Sequence, residues 1–486
     1  MQYPAPSYFA FVQFQASVNG HGKAVISENH EVPYRVFVQH IERVTRRLDS
    51  LGLPRDACVG VLVKSRYLQW LVNIALLRMG VLSAGMASKR ELKLIRPAVL
   101  IADETMESGD FRFILASLGW LGGDADALPP FQEQRHARET PARIVLSSGT
   151  TGTPKRVLIT HGEMSDRQDT AGVVFGTHWN TRSCSLMGIN TLGGYASPLL
   201  TWASGGTVVF PSSKPGVAPW HILRLETNAL LLSPTQLEAL VASLPADYAP
   251  IPALRIFVAG SSLPQQLSVK TRLRLTQQLF VVYGSTEVGT VSMTHAAQAD
   301  GRPGFTGQVV PWVDVEVVDE EDRPVAPGTT GEVRMRSKVL VERYLDDDAN
   351  EIALRGGWFY PGDAGTLDAH GGLTIVGRTR ELINIGGLKL SPVAADEALS
   401  TVPGVKDVAV FGFDSPRGVR ACAAVVAADD FDREALVRRF GKTFPGSPQL
   451  LVARVAEIPR NDMGKVLRLQ LARNLRDAKQ AAVTGP

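Results

Sequence analysis

The chain reads as a multidomain α/β protein, a large N-terminal domain followed by a smaller C-terminal one, and three observations predict it. Short β-type runs alternate with helix-like stretches as far as Val282. From about Val309 the texture changes to closely spaced strands separated by acidic Pro/Gly turns. After Glu381 the alternation of helix and strand resumes. A chain of 486 residues, at roughly 100 to 200 residues per domain, has room for two to four such units.

Taken in order, Val36, Val38, Ile41, Val44 and Leu48 recur at helical spacing, and Val59 to Val63 is a short β-type run. Trp70 to Ala87 is the longest apolar stretch, but Asn73 and Arg78 interrupt it, which suits a buried helix and its exit better than a membrane span. Strand-like runs follow at Ala98 to Ile101, Arg143 to Ser147, Thr207 to Phe210, Ala229 to Leu232, Arg255 to Ala259 and Phe280 to Val282, with a helix over Pro234 to Ser243. This order predicts mostly parallel sheets. Val309 to Asp319 and Gly331 to Met335 read as strands of a small antiparallel unit, with turns at Asp322-Arg-Pro and Ala326-Pro-Gly. A helix around Val393 to Ser400, strands at Val408 to Phe411 and Ala421 to Val426, and a helix at Asp432 to Phe440 complete the chain. The boundary falls at Gly377 to Glu381, giving domains 1–378 and 379–486 with a β-rich part at about 305–376.

Composition removes several classes of function. With 44% hydrophobic and 20% charged residues the chain is an ordinary globular protein, not a disordered, collagenous or coiled-coil one. Lys plus Arg number 51 against 48 acidic residues, so no nucleic acid or other polyanion is implied as a partner. The start, Met-Gln-Tyr-Pro-Ala-Pro, has neither a basic nor an apolar leader region, and no membrane partner is expected. Cys58, Cys184 and Cys422 are too far apart for a CxxC pair or zinc cluster, and three cannot form a closed disulfide set. A reducing cytoplasm is the expected setting.

The most informative segment is Ser147-Ser148-Gly149-Thr150-Thr151-Gly152-Thr153-Pro-Lys155, directly after a strand. Small residues let backbone N–H groups approach phosphate oxygens, and five hydroxyls plus a lysine add donors. It lacks the Gly-Lys-Ser/Thr of a Walker loop. The chain's own Gly-Lys-Thr, at Gly441 to Thr443, has Leu436 where the first Walker glycine belongs.

This loop resembles the signature of the adenylate-forming (AMP-binding) superfamily, which includes acyl- and aryl-CoA synthetases, nonribosomal-peptide adenylation domains and firefly luciferase. Four further segments resemble its motifs, in order. In Tyr283-Gly284-Ser285-Thr286-Glu287 the glutamate would hold Mg²⁺ on ATP while Thr286 donates to the α-phosphate or the substrate carboxylate. In Gly357-Trp-Phe-Tyr-Pro361-Gly-Asp363 the aspartate would accept from both ribose hydroxyls, with Pro361 where Thr or Ser is usual. Gly377-Arg378-Thr-Arg380-Glu381 would be the hinge between domains, Arg378 reaching ribose or phosphate and Arg380 standing at a position that is usually acidic or Lys. The turn Gly386-Gly387 would line the path of a thiol arm. Pro459 to Arg468 would present Lys465 as the catalytic lysine. The resemblance implies two α/β subdomains and a barrel-like β-unit, followed by a mobile α+β C-terminal domain.

It also implies the chemistry: a carboxylic acid attacks the α-phosphorus of ATP, pyrophosphate leaves, and a thiol then displaces AMP from the acyl- or aryl-adenylate. Lys465, Thr286 and Glu287 are the expected catalytic residues, Glu287 the metal ligand. The loop 147–155, Gly260, Ser261, Ser262, Tyr283 to Ser285, Asp363 and Arg378 would bind the nucleotide. Asn190, Gly194, Tyr195, Gly260 and Gly284 are the expected acid-pocket residues. No carboxylate stands in Asn190-Thr-Leu-Gly-Gly-Tyr195 to pair with an α-ammonium, which disfavours an α-amino acid. Coenzyme A is the leading acceptor. The alternatives are the phosphopantetheine thiol of a carrier protein, an amine, or a non-catalytic nucleotide-binding protein on the same fold.

Overall fold

The computed structural model describes residues 7–28, 30–106, 109–147, 154–212, 214–346, 353–385, 388–415, 418–461 and 464–484. A first sheet runs in the order Arg112–Leu115, Val99–Ala102, Val59–Leu62, Ser83–Gly85, Pro141–Ser147, Lys155–Thr160. Its pairs are parallel except the last, where Pro141–Ser147 and Lys155–Thr160 form a hairpin. The helix Tyr34–Ser50 buries Phe37, Ile41, Val44 and Leu48 at the spacing the sequence predicts. The helix Arg66–Arg78 is buried on nearly every face. Its interrupting polar residues are both paired in the core: Asn73 accepts from the Arg143 guanidinium, and Arg78 bridges Glu42 and Glu133. Among the described residues no helix is long and apolar enough to cross a membrane.

A second sheet of fifteen described strands has at its centre Thr207–Val209, Arg182–Ser185, Ala229–Leu232, Arg255–Val258 and Leu279–Ser285, all parallel. Near-continuous apolar runs suit strands covered on both faces. The sheet then turns antiparallel at the hairpin Leu279–Ser285/Gly289–His295 and passes through Phe305–Val309 into the β-rich part. That change was expected near Val309, and it comes earlier because Thr286, Glu287 and Val288 form a tight hairpin turn. The β-rich part is thus hydrogen-bonded to the parallel strands rather than set apart from them.

After Arg378 the strands form sheets of their own. Ile383–Ile385 pairs with Leu388–Leu390, and Val405–Ser415, Gly418–Ala427 and Leu451–Arg454 form a three-stranded sheet. Their buried residues, among them Leu399, Val410, Leu436 and Phe440 on one face and Phe411, Cys422 and Ile458 on the other, make cores distinct from those of the preceding chain. The mixed α/β, multidomain class is the one the sequence predicts.

Candidate active site

The site is assembled at strand ends, where open α/β sheets leave a crevice for ligands. Ser147 closes its strand and pairs in register with Lys155, so the phosphate-loop segment connects a hairpin. Ser148, Gly149, Thr150, Thr151, Gly152 and Thr153 lie outside the described residues, as do Gly386 and Gly387. Ser147 and Lys155 line a cavity of about 1300 Å³. Gly260, at φ +94°, with Ser261 and Ser262, follows the strand Arg255–Val258 and lines the same cavity.

Tyr283, Gly284 and Ser285 form the last residues of the strand Leu279–Ser285 instead of following it. The register slips between Tyr283 and Gly284, and a Cβ on Gly284 would strike the Gly289 carbonyl. Glu287 sits in the turn, 4% exposed, with Oε1 accepting from the Tyr344 hydroxyl at 2.7 Å. Its backbone carbonyl accepts from Val341 N–H (2.9 Å) and from Arg167 Nη2 (3.2 Å). These bonds hold the turn from two sides, and Thr286 and Glu287 both line the cavity.

Asp363 pairs with Arg378 across a hairpin, Oδ1 lying 3.2 Å from Nη1, while Oδ2 accepts from the Tyr283 hydroxyl at 2.7 Å. Arg378 also donates to the Pro361 carbonyl at 2.6 Å, a bond to which the unusual proline presents no obstacle. A carboxylate has about four acceptor sites, so Asp363 keeps capacity for a ligand's hydroxyls.

Lys465 comes from the C-terminal part and lines the same cavity. Its loop is closed by Lys465 N–H to Asn461 Oδ1 (2.9 Å) and Asn461 N–H to the Lys465 carbonyl (2.9 Å). Burial, with Arg378 nearby, lowers the Lys465 ammonium to about 8. Glu381 reaches Arg468, 3.4 Å away, and thereby ties the Thr379–Glu381 turn to the helix that follows the lysine. Arg380 is exposed at the cavity's edge in a single helical turn over Thr379–Glu381.

Three expected acid-pocket residues are placed elsewhere. Asn190 donates to Glu91 Oε1 at 2.8 Å, Gly194 packs on the Gly188 carbonyl, and Tyr195 is fully buried, stacked on Trp70 with ring centroids 5.5 Å apart. None of the three lines the cavity. The cause is Arg143, fully buried in the first sheet: its guanidinium lies 4.0 Å over the Tyr195 ring and donates to the Ile189 carbonyl at 3.1 Å. Leu146 N–H also donates to the Asn190 carbonyl at 3.1 Å. These bonds turn the segment toward the sheet, and Met187, Leu192 and Gly193 face the cavity in its place, with Phe175, Leu200 and Leu231.

Sequence reasoning also missed Arg167 and Tyr344. Arg167 lies on the buried face of the helix His161–Phe175 with Met164 and Thr170, and a charge at that spacing was the available signal. Nothing local marks Tyr344.

Around Glu287 the donor set is oxygen only, and no group of three or more His, Cys, Asp or Glu gathers among the described residues. One carboxylate lining the cavity with Ser147 and Lys155 fits Mg²⁺, which is commonly held by one or two carboxylates together with substrate phosphates.

Residues 12–345 match the family model described as AMP-binding enzyme. Indoleacetate–CoA ligase of Aromatoleum aromaticum is 26% identical, over 92% of this chain and 94% of its own. 4-Chlorobenzoate–CoA ligase of an Arthrobacter species is 27% identical over 91% and 90%. The fold is shared with ATP-bound MatB from Rhodopseudomonas palustris, at a TM-score of 0.84 and 19% identity, covering 98% of this chain and all of that one. With the family model spanning well over half its length, the chain belongs to the AMP-binding enzyme family.

Proposed function

We propose that the protein is an AMP-forming acid–thiol ligase: it activates a carboxylic acid with ATP, releases pyrophosphate, and transfers the acyl or aryl group to coenzyme A. The observation that carries this reading is the meeting of Lys465 with Glu287, Asp363 and Arg378 on one cavity. Both curated relatives named above are CoA ligases for aromatic acids, and each aligns along nearly its whole length.

A carboxylate is a poor electrophile, and joining it to AMP supplies a leaving group. The protein's contribution is electrostatic and positional. Asp363 accepts the ribose hydroxyls, while Ser147, Lys155 and the loop between them hold the β- and γ-phosphates. Lys465 lies between the acid's carboxylate and the α-phosphate and offsets the charge that builds there. Glu287 would hold Mg²⁺, which would neutralise polyphosphate charge when bound. Thr286 donates to the α-phosphate or the acid. The walls at Phe175, Leu200 and Leu231 take the acid's apolar part.

The division into residues 1–378 and a mobile 379–486 belongs to the same reading, supported by the separate cores after Arg378. Rotation about Arg380 would withdraw Lys465 and bring the Gly386-Gly387 turn to the site for thiol transfer. The unpaired Cys58, Cys184 and Cys422 support a cytoplasmic setting. Burial raises all three thiols, which suits structural rather than nucleophilic cysteines.

The test is acid-dependent ATP–pyrophosphate exchange over a panel of aryl, fatty and amino acids, followed by coenzyme A, a phosphopantetheinylated carrier protein or an amine. A CoA ester is the expected product. Exchange without a CoA ester, but with a loaded carrier or an amide, assigns the other acceptor. No exchange with any acid refutes the ligase reading.

A further inference from the structure

A short segment crosses between the two sheets at the phosphate end of the cavity. Val341 N–H donates to the Glu287 carbonyl, and Leu345 N–H donates to the Arg156 carbonyl, both at 2.9 Å. Tyr344 and Val157 form an antiparallel bridge. Asp346 accepts from the Arg156 backbone N–H at 3.0 Å and from its guanidinium at 2.7 Å. The segment is therefore fixed both to the strand that begins at Lys155 and to the turn that carries Glu287.

Tyr344 projects from its middle and is 2% exposed. The hydroxyl donates to Glu287 Oε1 at 2.7 Å, and the ring centroid lies 4.9 Å from Lys155 Nζ. An ammonium and a carboxylate thus meet the face and the tip of one neutral side chain. In a water-poor cleft such charges attract strongly, and a direct ion pair would occupy the groups that a polyphosphate and its cation need.

We propose that Tyr344 is a positioning residue of the nucleotide site, which aims Glu287 at the cation through its hydroxyl and holds Lys155 toward the polyphosphate on its ring. The inference rests on the nucleotide-site reading given above and extends it to a residue outside the five segments named in the sequence. Groups that orient a metal-binding carboxylate typically change metal affinity 10- to 100-fold when removed.

Tyr344→Phe keeps the ring and deletes the hydroxyl, and Tyr344→Leu deletes both. Calorimetry of ATP binding at graded Mg²⁺ separates the two contributions without acid or thiol. Tyr344→Phe should raise the Mg²⁺ concentration for half-saturation about 10-fold or more and leave metal-free ATP binding unchanged. Tyr344→Leu should also weaken metal-free binding. In a Glu287→Gln background Tyr344→Phe should add nothing to the Mg²⁺ dependence. An unchanged Mg²⁺ dependence in Tyr344→Phe, or full additivity with Glu287→Gln, overturns the proposal alone. Failure of the unsubstituted protein to bind ATP overturns the nucleotide-site reading and this one with it.

Discussion

Gly464, beside the cavity-lining lysine, rests directly on Thr235 in the first turn of the helix Pro234–Ala242: a Cβ on Gly464 would collide with the Thr235 hydroxyl. Gly464 also holds φ at +78°, a conformation that side chains resist. The contact is therefore where the segment carrying Lys465 rests on the helix Pro234–Ala242. Gly464→Ala should reduce ATP–pyrophosphate exchange by about 10-fold, since a left-handed non-glycine residue costs about 1–2 kcal/mol. Thiol transfer from a supplied acyl-adenylate should be spared. Equal losses in both half-reactions would show that the residue matters only for folding.

Lys465→Ala tests the lysine itself. Loss of one charged donor at a developing charge typically costs roughly 10² to 10³ in rate, and that fall is expected in exchange but not in thiolysis of the adenylate. Unchanged exchange removes Lys465 from the first reaction.

The pH profile should carry the same signature. Burial and Arg378 lower the Lys465 ammonium to about 8, so the free protein holds it protonated below that pH and loses the proton above it. Exchange kcat/KM should be level at lower pH and fall about tenfold per unit above roughly pH 8. Bound ATP brings negative charge and favours the protonated form, so the limb in kcat should lie higher. A kcat/KM profile that stays flat from about pH 7 to 9.5 contradicts this assignment.

Tyr283→Phe removes the hydroxyl that donates to Asp363 Oδ2 and leaves the Arg378 pairing in place. A hydrogen bond to a charged group contributes about 1.5–3 kcal/mol, and the loss should appear as a KM for ATP raised about 10-fold or more. The KM for the acid should hardly move. An unchanged ATP KM would show that Arg378 alone orients Asp363.

Arg143→Met should act on stability. It leaves Asn73 and the Ile189 carbonyl without the guanidinium that serves them, and each unsatisfied buried group costs about 1–3 kcal/mol. Denaturant unfolding should show a lower midpoint at unchanged slope. The acid preference should also drift, because the segment after Ile189 would no longer be drawn to the first sheet.

Much of the fold was legible because its signals are local. Apolar spacing in Val36 to Leu48, the β-type runs from Val59 to Val282, and the return of helix and strand after Glu381 each survive in the structure with ends moved by a few residues. Asn73 and Arg78 looked like interruptions of an apolar helix, and sequence could not supply their partners, which lie in distant segments.

The site divides in the same way. The sequence by itself determined the class of chemistry, because a Ser/Thr/Gly loop, the segment ending in Glu287, the Gly-Asp363 segment and a late lysine resemble, in order, the motifs of one family. Only the tertiary structure decided which neighbours these groups have. A buried guanidinium at Arg143 withdraws Asn190 and Tyr195 from the cavity, and a segment with no motif of its own sets Tyr344 against Glu287 and Lys155. Spacing along a chain encodes local geometry, whereas the partners of a buried charge are fixed by desolvation across elements far apart in sequence.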